Sequence, residues 1–227
     1  MANLERLFVW AGGGLFVASL TFCAYSYFVR WSGGSAGGNW SAYLINAILL
    51  SVFSLHHSLL ARERAKRWLA RHVPEPLLRS VYVWTAALLL IVTCAFWQPI
   101  GGDVYLVHGI GTALLVIVQL LGVWLIARTV ATIDPLDLAG IQTRKAAERL
   151  QVAGPYRLVR HPLYFGWVLI VFGAPHMTGD RVAFAILTTL YLAIAIPWEE
   201  RSLIAAFGED YERYQQRVRW RMVPYIY

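Results

Sequence analysis

The stretch GPYRLVRHPLYFGWVLIVFGAPH, residues 154–176, passes from a polar, basic segment into an almost wholly apolar one. Pro155 and Pro162 interrupt helix, and proline is well suited to a first helical turn. A new helix is therefore expected to begin at about Leu163. Arg157, Arg160 and His161 can donate hydrogen bonds there, and Tyr156 and Tyr164 add rings with polar tips. The free N–H groups and positive dipole end of the new helix would face back toward the His-Pro pair. Such a place suits a polar, partly anionic small molecule held beside a membrane.

The apolar half of this stretch is one of several. The 227-residue chain is 58% hydrophobic and 15% charged, whereas a soluble domain carries about 25% charged residues. Ten tryptophans, many near the ends of apolar runs, fit interfacial belts. The fold class expected is all-α, a polytopic membrane protein of five to six transmembrane helices with a C-terminal amphipathic cytoplasmic helix. The apolar runs cover residues 7–29, 42–61, 81–97, 109–127, 163–176 and 182–197. The last two are short, and only MTGDR separates them, so a tight hairpin over 163–197 is expected. Gly12, Gly13 and Gly14 would allow close helix approach in the first run. That run is long enough to span and lacks a convincing cleavage site, which argues against a signal peptide.

Eighteen of the twenty lysines and arginines fall on one side if the N-terminus is inside; the outer loops keep Arg30 and Arg181. Both termini are thus expected in the cytoplasm, in the inner membrane if the source is bacterial. The net charge of +7 sits in short blocks between apolar runs. It orients the spans and gives no reason to expect nucleic acid. Cys23 and Cys94 lie inside apolar runs, too deep for a disulfide framework or a zinc site. Asp134 and Asp137, in IDPLDLAG, read as a capped turn and not as a metal site.

A second polar cluster, Glu199 and Glu200, closes the sixth run. Helix neighbours lie about 100° apart, so one glutamate is expected to face the start of the hairpin while the other pairs with arginine or reaches water. The bland alternative is ordinary charged termination of a span; for His161 it is an interfacial cap. Beyond them, Leu203, Phe207, Tyr211, Tyr214 and Val218 recur at helical spacing, which predicts an amphipathic helix over 199–219. It would lie on the membrane surface, cover the site, or both. His56 and His57 end the second run before a basic block and could line a pocket. The chain divides into an N-terminal four-helix region, 1–127, and a core over 128–227.

GPYRLVRHPLYFG, followed about thirty residues later by EERSLIAAFGEDYERYQQRV, resembles the isoprenylcysteine carboxyl methyltransferase superfamily of integral-membrane enzymes that use S-adenosylmethionine. FSLHHSLLAR and EPLLRSVYVW resemble bacterial methanethiol S-methyltransferase-like proteins. The resemblance implies cofactor contacts from Tyr156, His161, Pro162, Leu163, Tyr164 and Glu199, with Glu200 beside it. It also implies contacts from Leu150 and Gln151 and, near a cofactor-binding glutamine, Gln142. The carboxyl methyltransferases hold the substrate carboxylate with an arginine where this chain has Ala195. A small or lipophilic thiol therefore fits better as methyl acceptor, with carboxyl methylation of isoprenylcysteine or N-methylation of a lipid amine as alternatives. Arg160, His57 and Arg79 are candidates for favouring a thiolate. From other classes come a non-catalytic membrane protein of the same fold and a sterol-reductase-like enzyme, the latter needing a longer chain.

Overall fold

A computed structural model describes residues 3–33, 38–60, 67–132, 136, 139–141 and 150–227. The sequence expectations for Gln142, Asp134 and Asp137 lie outside these. The chain forms two compact units, Met1–Gly102 with Asp134–Arg144, and Asp103–Ile133 with Lys145–Tyr227. Among the described residues four helical stretches are long and apolar enough to cross a membrane: Asn3–Ser32, Glu75–Ala95, Ile110–Val130 and Gly179–Phe207. The chain is an integral membrane protein.

The first unit contains α1 (Asn3–Phe28), α2 (Trp40–Leu60) and α3 (Leu78–Ala95). Helices α1 and α3 meet at Gly12, where a Cβ would lie 2.6 Å from the Trp84 indole nitrogen. The indole instead donates to the Phe8 carbonyl at 3.0 Å and stacks on the Phe8 ring. Asn46 is fully buried and satisfied by Gln98. Its amide donates to the Gln98 carbonyl and accepts from the Gln98 N–H, both at 2.8 Å. A buried amide left unpaired in hydrocarbon would cost several kcal/mol, so this pair fixes where α2 sits against the chain leaving α3.

The second unit contains β1 (Asp103–Leu106), α4 (Ile110–Val130), α5 (Pro162–Phe172), β2 (His176–Thr178), α6 (Gly179–Phe207) and α7 (Glu209–Arg217). The fourth apolar run, α4, falls within this unit. The expectation of an all-α fold is corrected by one antiparallel pair: β1 runs against β2, with Asp103 opposite Thr178 and Leu106 opposite His176. Strand β1 falls between the third and fourth apolar runs and β2 begins at the last residue of the fifth; runs of three and four residues carry no usable period. Their pairing bears on the fifth run. At 11 residues α5 rises about 16 Å, half of a hydrocarbon core of about 30 Å. Three non-helical residues, 173–175, carry the chain onward to β2, beside the start of α4. Gly173, Ala174, Met177 and Thr178 in this stretch are buried, as non-helical backbone at such depth must be.

The sixth run is longer than expected. Helix α6 continues through Pro197 for 29 residues, past both glutamates, and ends at Phe207. Gly208, with φ 53°, then breaks the amphipathic stretch expected over 199–219 into the last turns of α6 and the separate α7. The apolar stripe survives the break. Tyr211, Tyr214 and Val218 are buried together against Leu203, Ile204, Phe207, Leu150, Val152 and Tyr156.

Helices α4 and α5 cross at two glycines. A Cβ on Gly166 would lie 2.8 Å from the Gly122 carbonyl oxygen, and one on Gly122 would lie 2.6 Å from that of Gly166. Backbone cannot yield there as a side chain can. Gly166→Ala should therefore lower stability by about 1–3 kcal/mol. Gly14→Ala, with no heavy atom within 4 Å of the added carbon, should gain about 0.5–1 kcal/mol from helix propensity. Thermal unfolding in detergent measures both, and equal shifts would contradict the crossing.

Candidate functional site

Gly154 opens a short 3₁₀ turn, Gly154–Arg157, and the chain reaches His161, which caps α5. The His161 carbonyl accepts from the N–H groups of Tyr164 and Phe165, each at 3.1 Å, and Pro162 brings no N–H. Fewer donors of the first turn are thus available to a ligand than the sequence suggested. Three side chains converge instead. The His161 and Tyr164 rings stack with centroids 5.4 Å apart. The Tyr164 hydroxyl donates to Glu199 Oε2 at 2.9 Å, and His161 Nδ1 lies 3.5 Å from the same oxygen. Glu199 is 45% exposed while His161 is buried. This is a carboxylate open to a ligand, backed by a histidine and a phenol.

Glu200 points the other way, into protein. Its Oε1 accepts from Arg160 Nε at 2.6 Å, with the two side chains 5% and 6% exposed. Its Oε2 accepts from Gln215 Nε2 at 3.2 Å and lies 3.4 Å from Arg221 Nε. Arg160 spends further donors on the carbonyls of Val218 and Arg219, at 2.7 and 2.9 Å. The Arg160 and His161 N–H groups donate to the carbonyls of Trp220 and Arg221, at 2.9 and 2.8 Å. Arg160 is therefore committed to holding α6, the His161 segment and the strand-like strap 218–221 together. It is not a loose cation. The strap is a part of the site that sequence reasoning missed, since RWRMVPYIY has neither helical nor strand period.

His161 Nε2 is buried and lies 3.4 Å from Glu200 Oε1. The Tyr211 hydroxyl is likewise buried without a hydrogen-bond partner among the described residues. Burial holds the phenols of Tyr156, Tyr211 and Tyr214 above the usual tyrosine range, so all three stay protonated donors. The Tyr214 hydroxyl donates to the Tyr156 carbonyl at 2.7 Å, fixing the turn before Arg160. Leu150 packs in the Tyr211–Tyr214 cluster, Gln151 is exposed, Pro162 is buried and Leu163 half-buried.

His57 and Arg79 belong to the first unit. The Tyr82 hydroxyl bonds His57 Nδ1 at 2.8 Å, the Arg79 guanidinium lies 5.9 Å from the Tyr82 ring centroid, and the His56 ring stacks on the same tyrosine. Tyr82 ties this group together and was not singled out in the sequence.

Removing one partner of a buried ion pair leaves the other charge uncompensated. Arg160→Ala and Glu200→Ala should each lower stability by about 3–5 kcal/mol. The double variant should lose less than the sum of the two. Chemical denaturation of the four proteins in detergent measures the cycle, and simple additivity would dissolve the pair.

Residues 106–210 match the phospholipid methyltransferase family, which places the match across α4, α5 and α6. The chain is 38% identical over 194 residues to methanethiol S-methyltransferase 2 of Bradyrhizobium diazoefficiens, covering 82% of this chain and 74% of that one. It is 34% identical over 194 residues to the methanethiol S-methyltransferase of Pseudomonas deceptionensis, covering 80% and 73%. With that of Crocosphaera subtropica it shares 35% identity over 195 residues, covering 82% and 76%. No solved structure matches the chain. The extent of these matches is enough to say that the chain is a methyltransferase and belongs to the family of the methanethiol S-methyltransferases.

Proposed function

We propose that the protein S-methylates a small thiol with S-adenosylmethionine as methyl donor, and that residues 128–227 carry the catalytic core. The observation that supports this best is the trio formed where His161 and Tyr164, at the start of α5, meet Glu199 of α6. It pairs a half-exposed carboxylate with a buried imidazole whose Nδ1 lies 3.5 Å from it and a phenol that donates to it at 2.9 Å. The donor set fits the methionine end of the cofactor, which carries both an amine and a carboxylate. Glu199 would hold the amine or a ribose hydroxyl, and His161 would donate toward the carboxylate. Tyr156, Pro162, Leu163 and Tyr164 would line the same site, and Leu150, Gln151 and Gln142 are assigned to it from the family resemblance.

When bound, S-adenosylmethionine supplies a methyl group on a positively charged sulfur, open to in-line attack. The protein's part is alignment and exclusion of water. The Arg160–Glu200 pair serves this by holding the His161 backbone against the strap, so the imidazole and Tyr164 keep their places. Tyr164 serves it by orienting the Glu199 carboxylate. A thiol reacts as its thiolate, and Ala195 offers no charge to hold a substrate carboxylate. The names of the similar proteins point to a small thiol as well.

The bias of eighteen of twenty basic residues supports cytoplasmic termini and, in a bacterium, the inner membrane. On that reading the chain crosses six times, α5 completing its passage with the non-helical residues that lead into β2 and with β2 itself.

Protein reconstituted in lipid and supplied with S-adenosylmethionine and methanethiol should release dimethyl sulfide, measured in the headspace, and leave S-farnesylcysteine unmethylated. Loss of the Tyr164–Glu199 hydrogen bond in Tyr164→Phe should raise KM for S-adenosylmethionine roughly threefold to tenfold, with kcat less affected. Methylation of the prenylcysteine carboxylate without any of the thiol would overturn the substrate assignment.

A further inference from the structure

The strap that holds His161 continues into a closed loop whose outer side is apolar. Met222 and Val223 donate their N–H groups to the Tyr227 carbonyl at 2.8 and 3.1 Å, and Tyr227 donates back to Val223 at 3.0 Å. The loop thrusts Tyr225 and Ile226 outward, 86% and 80% exposed. Tyr225 has a φ of 65°, a conformation that a bulky residue adopts only where its surroundings impose it. Two large exposed side chains on a strained tip would be a liability in water.

The depth of the loop is set by Tyr227. Pro197 lies inside α6 and has no N–H, so the carbonyl four residues earlier, that of Ala193, loses its helical donor. The Tyr227 hydroxyl donates to that carbonyl at 3.2 Å, and Arg221 Nη1 donates to the hydroxyl at 3.2 Å. Ala193 lies on the apolar side of Trp198, whose ring carries the Arg201 guanidinium at 5.4 Å, an arrangement typical of the membrane–water boundary. Five residues of helix are about 7.5 Å. The Tyr227 side chain therefore reaches past the level of Trp198 along α6, a helix whose Leu190 and Ile194 are exposed.

We propose that residues 222–227 form a membrane-interface anchor, with Tyr225 and Ile226 seated in lipid alongside α6. The occupant is the bilayer that α6 itself crosses, because Tyr227 ties the loop to the apolar part of that helix at Ala193. Trp220, its ring 5.3 Å from that of Tyr225, would stand at the headgroup level between the anchor and the strap. The carbonyls of Trp220 and Arg221, on which the Arg160 and His161 N–H groups depend, are then tied to the membrane surface.

The test uses the full chain in vesicles of phosphatidylcholine and phosphatidylglycerol. Ile226→Cys is spin-labelled and compared with Ile194→Cys, on the lipid-facing side of α6, and Glu212→Cys, on the exposed side of α7. The native Cys23 and Cys94 are buried, so the parent protein serves as the labelling blank. The expected result is a ratio of oxygen to water-soluble nickel-chelate collisions at 226 that matches 194 and exceeds that at 212 several-fold. A ratio matching 212 would place the loop in water. Low collision rates with both reagents would mean that protein, not lipid, covers it. Either outcome overturns the proposal.

Discussion

The buried pair between Arg160 and Glu200 is the constraint on which the second unit depends. An ionised carboxylate removed from water is tolerated only when its charge is met and its lone pairs are used. Glu200 satisfies this with Arg160, Gln215 and the nearby Arg221, so one side chain of α6 gathers the segment before α5, helix α7 and the strap. Because Arg160 also binds two strap carbonyls, the pair cannot be displaced without moving His161. The open carboxylate of Glu199 is thus presented by a rigid frame. Adjacent residues on one helix divide the work, one holding the frame and the other remaining half-exposed beside His161 and Tyr164.

The division follows from helix geometry, and that much was legible in the sequence. Two neighbours about 100° apart cannot both face one site. Which glutamate would turn inward was not legible, because that is decided by the pairing with Arg160, forty residues away in sequence. The apolar stripe from Leu203 to Val218 was read correctly from its spacing, and the structure gathers it into one cluster with Leu150 and Tyr156. Its interruption at Gly208 was missed because a glycine with positive φ leaves the period on either side nearly in phase. The continuation of α6 through Pro197 was missed because proline ordinarily ends a helix. Here the freed Ala193 carbonyl has Tyr227 as its donor.

The short fifth helix has a similar explanation. Eleven residues cannot cross hydrocarbon, yet Gly166 and Gly122 let α5 lie against α4 closely enough for Gln119 to donate to the Ile170 carbonyl at 2.9 Å. The non-helical residues that follow end in a strand paired with the one before α4. An apolar run read by length alone hides such a break, since helix and buried extended chain are equally apolar. The reward of a short helix is a polar site placed at its start, where Pro162 and His161 interrupt the hydrogen-bond ladder.

The central claim, that the His161–Tyr164–Glu199 trio binds S-adenosylmethionine on a frame set by Glu200, is tested most directly by calorimetric titration of wild type and Glu199→Ala with the cofactor in detergent. Saturable binding by wild type, weakened at least tenfold in Glu199→Ala without loss of thermal stability, is the expected result; a factor of ten corresponds to about 1.4 kcal/mol, within the range of a charge-assisted hydrogen bond. Equal affinity in the two folded proteins would contradict it.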